Sequence, residues 1–241
     1  MVSHSQRLRE TLSLAQTGLT SLIHDVWFHP QLNELYPEFL FAMYGVTVAS
    51  APAMRIAAQL CAQAGSEDLL KQFLRAYYLE HASEEEDHGE WLLDDLNSLG
   101  VPRQCVLERI PYPSVAALVG SQYYWMEHVH PIAYLGFIAV LEAPTQTDFL
   151  QGVSDRTGIP LASMSCHLRH AELDAGHVAE FDAMLDSLPL TLQHRDLITV
   201  SALTTIGQLQ NVFTDTLEHF ERISHPVSAA TIFTARGTML V

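Results

Sequence analysis

Three side chains late in the chain have the types and the spacing of a helical metal site. His170, Asp174 and His177 stand at positions i, i+4 and i+7, which places them within roughly 60° of one another around an α-helix. Imidazole nitrogens and a carboxylate oxygen without a thiolate favour iron, manganese or zinc. The triplet therefore predicts one wall of a metal site.

Two other segments offer donors of the same kind. Glu85 and His88 lie three residues apart and share a helix face, and Glu142 ends an apolar run on a separate helix. A lone Glu-x-x-His occurs often by chance, as residues 127–130 illustrate, because Pro131 follows them at a predicted kink. Six donors with three carboxylates exceed what one metal ion needs. Two metal ions with bridging carboxylates fit the set better.

These donors interrupt helix seams that are otherwise largely apolar. Residues separated by steps of three and four lie on one face of a helix and form a seam. One such seam runs from Leu74 to Leu92 and contains His81, Glu85 and His88. Burying unpaired carboxylates and histidines is costly, and the chain has only 12 Lys plus Arg against 28 Asp plus Glu. A cation from solution would resolve the conflict. The neighbouring acidic residues of the run 84–87 are expected on a solvated face.

Four further residues are candidates for the wall of a substrate pocket. They share seam positions near the donors and are His81, Tyr124, His128 and His167. The three histidines would make that wall polar. A polar wall favours an amino-acid-derived substrate over a long acyl chain.

The sequence predicts that these residues are positioned by helices separated by short breaks. Helical regions are predicted over 5–26, 31–64 with a bend near Ala51–Pro52, 66–99 with Ser66 as N-cap, 114–142 with a kink at His130–Pro131, 160–188 and 191–223. We find no run of strands, no Gly-rich phosphate loop and no internal repeat in the sequence. The chain is therefore predicted to be an all-α single domain over residues 1–225, built as a bundle and followed by a tail over 226–241.

Composition limits the partners. The 241 residues are 48% hydrophobic and carry a formal net charge of -16, which argues against nucleic acid and anionic membranes. Three widely spaced cysteines without a CxxC pair suit a reducing cytoplasm.

The apolar stretch around 39–54 is too short and broken to span a bilayer, and the N-terminus lacks the apolar run of a signal peptide. We expect a small-molecule substrate, and a homodimer is one candidate assembly.

Taken together, the set Glu85-x2-His88, Glu142 and His170-x3-Asp174-x2-His177 resembles the haem-oxygenase-like di-iron oxidases, over about residues 30–220. The flanking segments 81–88, 91–100 and 136–142 match as well. The resemblance implies a haem-oxygenase-like (TenA/PqqC-like) bundle of seven helices, so one predicted region is two helices. It also implies two Fe(II)/Fe(III) ions, O2 as co-substrate and an external reductant. The six ligands it implies, which would also carry the catalysis, are Glu85, His88, Glu142, His170, Asp174 and His177.

The activity implied is oxidation of a small amino-acid-derived substrate in specialised metabolism, by N-oxygenation or oxidative C–C or C–N cleavage. A fatty-acid oxidative decarboxylase of the same fold and a non-enzymatic iron-binding helical protein are the alternatives. A true haem oxygenase fits less well, since only His24 could serve as its proximal ligand and no glycine-rich helix is present. A ferritin-like protein would carry a second Glu-x-x-His on its last helix.

Overall fold

The computed structural model describes residues 2–63, 67–142 and 146–225, with the side chains of 173–175 excepted. Within these ranges there are α-helices and short 3-10 turns and no β-strand. In chain order the helices are α1 (His4–Ala15), α2 (Thr17–Trp27), α3 (Leu32–Thr47), α4 (Ser50–Ala62), α5 (Leu69–Glu84), α6 (His88–Ser98), α7 (Arg103–Glu108), α8 (Pro113–His128), α9 (Tyr134–Leu141), α10 (Thr147–Thr157), α11 (Ser165–Ser187) and α12 (Leu192–Ser224).

Several of these helices are the halves of longer, interrupted rods. If α1 and α2, α5 and α6, and α8 and α9 are each joined, and the short α7 and α10 are set aside, the described residues form seven long helices. This all-α bundle is the architecture that the resemblance implies. The resemblance also implies that one predicted region contains two helices. The region 31–64, predicted as one bent helix, contains both α3 and α4, which confirms this expectation.

Breaks occur where the local sequence cannot continue a helix or where the two halves pack on different neighbours. The predicted kink at His130–Pro131 is a 3-10 turn over Pro131–Ala133 between α8 and α9. The region over 5–26 divides at Gln16. Both halves pack against α12, and in addition α1 contacts α11 whereas α2 contacts α3. Ser66, the predicted N-cap, lies outside the described residues, and Asp68 caps α5 by accepting a hydrogen bond from the Lys71 amide.

Two short helices were not predicted. The segment with Pro102, Pro111 and Pro113 contains α7, and the segment after Glu142 contains α10, which ends at Gly158 with a φ of 75°. Neither segment has an apolar seam long enough to produce a periodic signal. The tail over 226–241 lies outside the described residues.

The long helix α12 is the centre of the bundle and packs against α9, α8, α2 and α3. Its 33 residues extend about 50 Å at 1.5 Å per residue. Buried apolar side chains along it include Ile198, Ile206, Leu209 and Phe213. The predicted metal donors lie on or just beyond the ends of α5, α6, α9 and α11, of which α9 packs against α12 and α11 packs against α6.

One described segment is long and apolar enough to cross a membrane by composition. It covers Leu32–Ala62 with a mean hydropathy of 1.3, and half of its most apolar window is buried inside the bundle. It is divided into α3 and α4, whose apolar faces pack in the core. One such half-buried segment is weak support for a membrane span.

Gly136 marks the closest approach of two helix backbones. A Cβ atom there would lie 2.4 Å from the Ile198 carbonyl oxygen and 2.6 Å from the Ala202 nitrogen. Because both neighbours are backbone atoms of α12, they cannot rotate away. Only a glycine lets α9 lie so close to α12.

We predict that Gly136→Ala lowers the free energy of unfolding by at least about 2 kcal/mol, since overpacking a well-packed contact typically costs this much. Gly120→Ala is the control, because Gly120 also lies in a helix and a Cβ there meets nothing within 4 Å. It should stabilise by about 0.5–1 kcal/mol. Urea unfolding of both variants measures the difference, and equal effects would contradict the close approach of α9 to α12.

Candidate metal centre

The break between α5 and α6 presents the first two donors. Residues 85–87 leave the helix, so that Glu85 caps the end of α5 and His88 begins α6. Glu85 is partly buried and His88 is 2% exposed. Their side chains converge, with 3.1 Å between Glu85 Oε1 and His88 Nδ1. The acidic neighbours Glu84 and Glu86 are exposed, as the sequence predicts.

Glu85 and His88 form a donor group with His170 from α11. One donor atom from each of the three residues lies within 4.8 Å of the other two. His88 Nδ1 is buried and makes no hydrogen bond, although Glu85 lies close. His170 Nδ1 lies 2.8 Å from the Cys166 carbonyl oxygen, so Nδ1–H donates and the lone pair is on Nε2. The group thus offers two imidazole lone pairs and a carboxylate to one point.

A second donor group shares Glu85 with the first. It consists of His81, Glu85 and Glu142, whose donor atoms also lie within 4.8 Å of one another. Glu142 Oε1 lies 3.0 Å from His81 Nε2, and Glu142 Oε2 lies 3.5 Å from His177 Nδ1. Glu142 is the first residue after α9, where its backbone leaves the helix. Two donor groups joined by one carboxylate have the arrangement of a two-metal site with a bridging ligand.

The electrostatics of these groups suit a cation. Burial acts to raise the pKa of the Glu85 carboxyl, but the nearby His88, His170 and His81 hold it below its ordinary value. Burial acts to lower the pKa of His81, but contact with Glu142 raises it overall. Burial lowers the pKa of His170, which keeps that ring neutral. The Glu85 carboxylate is therefore held in its ionised form, and a metal ion bound at His81 would displace the proton that its contact with Glu142 favours.

A cavity of about 320 Å³ borders the two donor groups. His81, Glu85, Glu142 and His170 form its ionisable end together with Cys166. Most of the remaining wall is apolar and comes from α2, α3, α4, α6, α9 and α12, with the lining residues Leu19, Ile23, Trp27, Phe39, Met43, Val46, Met54, Leu92, Phe137, Ile138, Val140, Leu141, Leu209 and Phe213. The exposed residues Gln16, Thr20 and Ile23 mark where it meets the surface.

A smaller cavity of about 150 Å³ lies on the other side of His81 and Glu142. Its wall is acidic, with Glu80, Glu84 and Glu180 beside His177. Glu84 Oε2 lies 3.1 Å from His81 Nδ1. His81 and Glu142 thus separate an apolar cavity from an acidic one.

The structure brings five of the six predicted ligands to this region: Glu85, His88, Glu142, His170 and His177. The side chain of Asp174 lies outside the described residues. His81, expected at the wall of the pocket and within reach of metal or substrate, belongs to a donor group and lines both cavities. His167 lines the apolar cavity as expected, among Trp27, Tyr36 and Phe39.

Tyr124 and His128 do not line either cavity, which corrects the expectation made for them. Both are exposed on α8, where their rings pack on each other 5.0 Å apart. The seam that suggested them was extended from α9 back through Pro131. The chain leaves the helix at 129–130, so that the register of α9 does not carry over, and the buried face of α8 is the one with Leu118, Gln122 and Met126.

Two residues beside the donors were not singled out from the sequence. Trp91 packs 4.1 Å from the His88 ring and covers it. Asp95 is 1% exposed and accepts hydrogen bonds from the first two amides of α11. Asp95 follows His88 by seven residues within an apolar seam, so the periodicity that revealed Glu85 also contained a signal for this carboxylate.

The chain belongs to the family of iron-containing redox enzymes, whose model matches residues 38–206. No curated protein is significantly similar to the chain. The family match covers α5 to α11 and therefore all the donors described above.

Solved structures share the fold. A domain of unknown function with a haem-oxygenase-like fold from Shewanella denitrificans OS217 has a TM-score of 0.77 at 19% identity, covering 91% of this chain and 94% of that one. A TenA homologue from Pseudomonas syringae pv. tomato DC3000 has a TM-score of 0.66 at 12% identity, with 88% and 92% covered. A TenA homologue from P. horikoshii OT3 gives 0.61 at 12%, with 89% and 98% covered. The fold is haem-oxygenase-like.

We predict that His167 makes the metal-free protein less stable in acid. Burial lowers the pKa of His167 to about 4 from 6.5, so below pH 6.5 the unfolded chain takes up a proton that the folded one does not. At about 1.36 kcal/mol per pKa unit, the stability lost between pH 6.5 and 4 is roughly 3 kcal/mol. His167→Phe should remove this part of the pH dependence.

Urea unfolding in the presence of a chelator at several pH values between 7 and 4 measures that dependence. His128→Phe is the matched control, since His128 is exposed, and it should keep the wild-type slope. A slope that His167→Phe leaves unchanged would contradict a buried, neutral His167.

Proposed function

We propose that the protein is a non-haem di-iron oxidase that activates O2 to oxidise a small organic substrate bound in the apolar cavity. The observation that carries the proposal is the pair of donor groups joined by Glu85 at the end of that cavity. Membership of the iron-containing redox enzymes supports iron as the metal.

The residues present fit two metal ions. His88 Nδ1 is a buried nitrogen without a hydrogen bond, and among the described residues no lysine or arginine forms an ion pair with Glu85 or Glu142. One ion would be held by Glu85, His88 and His170, and the other by His81, Glu85 and Glu142. His177 and the predicted ligand Asp174 would complete the set. The donors are imidazoles and carboxylates, which suit iron.

Bound iron would supply the electrons and the Lewis acidity for O2 activation, with an external reductant restoring the ferrous state. The protein's own contribution is positional. Cys166 fixes the His170 ring through its carbonyl oxygen, and Trp91 covers His88. The apolar wall excludes water from the space where substrate and O2 meet. Glu142 and His81 keep hydrogen-bonding groups at the boundary of that space.

The cavity favours a substrate with an apolar body and one polar group directed at the metal ions. Its volume of about 320 Å³ suits a small molecule. Apart from the metal donors, its described ionisable residues are His167 and Cys166, and no lysine or arginine lines it. A zwitterionic amino acid would leave its ammonium group without a partner away from the metals.

The amino-acid-derived substrate expected from a polar wall is therefore the weaker choice. The expectation of a polar wall rested on three histidines. Of these, His128 is on the outer face of α8, His81 is a donor, and burial keeps His167 neutral. An acyl chain or a similarly apolar molecule fits better. A non-enzymatic iron-binding role would leave the apolar cavity without a use.

We predict that Glu85→Gln lowers substrate-dependent O2 consumption at least about 100-fold and reduces bound iron, because one carboxylate serves both donor groups. Glu86→Gln is the matched control one residue away, where the side chain is exposed and pairs with Arg55. Anaerobic Fe(II) titration followed by O2 uptake measures both properties. Two iron ions per chain in the wild type are expected, and equal effects of the two substitutions would refute the assignment.

We also predict that reducing the volume of the cavity blocks the substrate and spares the metal. Leu19→Trp places a large ring in the cavity wall, whereas Leu14→Trp lies on an 83% exposed position of α1. With alkyl-chain carboxylates as test substrates, Leu19→Trp should reduce O2 uptake at least about tenfold at unchanged iron content. O2 uptake that responds to lysine but to no alkyl chain would reject an apolar substrate.

A further inference from the structure

Helix α11 is capped from a different helix. The amides of Ser165 and Cys166, its first two residues, donate to the Asp95 carboxylate of α6 over 3.0 and 2.9 Å. The preceding residue, Met164, makes no side-chain cap. A buried carboxylate is unfavourable unless it is paired, and the positive end of a helix dipole with two N–H donors is a favourable partner. Asp95 therefore fixes the N-terminus of α11 to α6.

Cys166 connects this cap to a metal donor. Its amide donates to Asp95, and its carbonyl oxygen accepts the Nδ1–H of His170 over 2.8 Å. Movement of Cys166 away from Asp95 would therefore also move the acceptor that orients the His170 ring. The two bonds form a continuous path from Asp95 to His170.

Asp95 and His88 belong to the same helix. His88 is the first residue of α6 and Asp95 is the eighth, so they lie about 10 Å apart along the axis. Helix α6 thus supplies one donor directly and fixes the helix that supplies another. The relative position of His88 and His170, whose ring centroids are 4.6 Å apart, depends on this contact.

We propose that Asp95 is a positioning residue of the metal centre, which acts through Cys166 to hold His170 in the donor group with Glu85 and His88. The proposal rests on the two-metal centre of the proposed function. The proposal implies that only one of the two metal positions depends on Asp95. The donors His81 and Glu142 come from α5 and α9, which do not contact Asp95 through any hydrogen bond among the described residues.

Titration with Co(II) under nitrogen tests the proposal, because its visible absorption reports each bound ion without activity. Wild-type protein should take up two equivalents. Asp95→Asn keeps the size of the side chain but loses the charge and one acceptor. It should weaken one equivalent about 10–100-fold, as loss of a partner behind a metal ligand typically does, and leave the other unchanged.

Glu38→Gln is the matched control. Glu38 accepts hydrogen bonds from Arg109 and Tyr112 and so connects α3 to residues beside α7 and α8. Its loss should destabilise the fold and spare both Co(II) equivalents. If Asp95→Asn weakens both equivalents alike or neither, or if Glu38→Gln weakens the same one, the positioning role is overturned.

Amide hydrogen exchange of the metal-free protein separates this proposal from the proposed function. Asp95→Asn should speed exchange at residues 165–170 at least tenfold, and Glu38→Gln should leave those residues unchanged. Wild-type protein that binds fewer than two Co(II) ions would overturn the two-metal centre, and the exchange data would still decide whether Asp95 holds this turn. Unchanged exchange in Asp95→Asn would overturn the role of Asp95.

Discussion

The structure depends on the burial of acidic side chains in a bundle that supplies them with imidazoles in place of cationic side chains. Glu85 and Glu142 lie in the interior and contact His88, His81 and His177. A buried carboxylate without compensation is costly, and a neutral imidazole offers it an N–H hydrogen bond but cancels its charge only when protonated. This favours a metal ion, which satisfies the carboxylates and uses the histidine lone pairs at the same time. The strongly acidic composition of the chain makes the preference stronger.

Interrupted helices make this arrangement geometrically accessible. A donor in the middle of a helix can reach only what lies across from it, whereas a donor at a helix end can turn toward the bundle axis. Glu85, His88 and Glu142 all stand at such ends. His81 lies in the last turn of α5, and His170 and His177 lie within α11. The contact of Asp95 with the first two amides of α11 connects two of these elements, α6 and α11.

The two cavities divide the surroundings of the centre by chemistry. His81 and Glu142 form the wall between them, with apolar residues on one side and glutamates on the other. Water and cations are favoured on the acidic side, and apolar matter on the other. Under the proposed function, this separation would let the metal centre meet an organic substrate in a dry space while its other face stays near water.

The sequence by itself determined the all-α class and the approximate outer ends of six helical regions, and it predicted the donors Glu85, His88, Glu142, His170 and His177, since side-chain periodicity and residue type are local properties. It did not reveal most of the breaks inside these regions. It did not reveal that His81 joins a donor group, because that depends on how Glu142 approaches from α9. It misjudged Tyr124 and His128, because the break at 129–130 changes the register between α8 and α9, so that a seam extended from α9 does not continue into α8. The apolar cavity and the cap from Asp95 to α11 were likewise decided by tertiary structure alone. Both arise between helices distant in sequence, where packing determines which side chains meet.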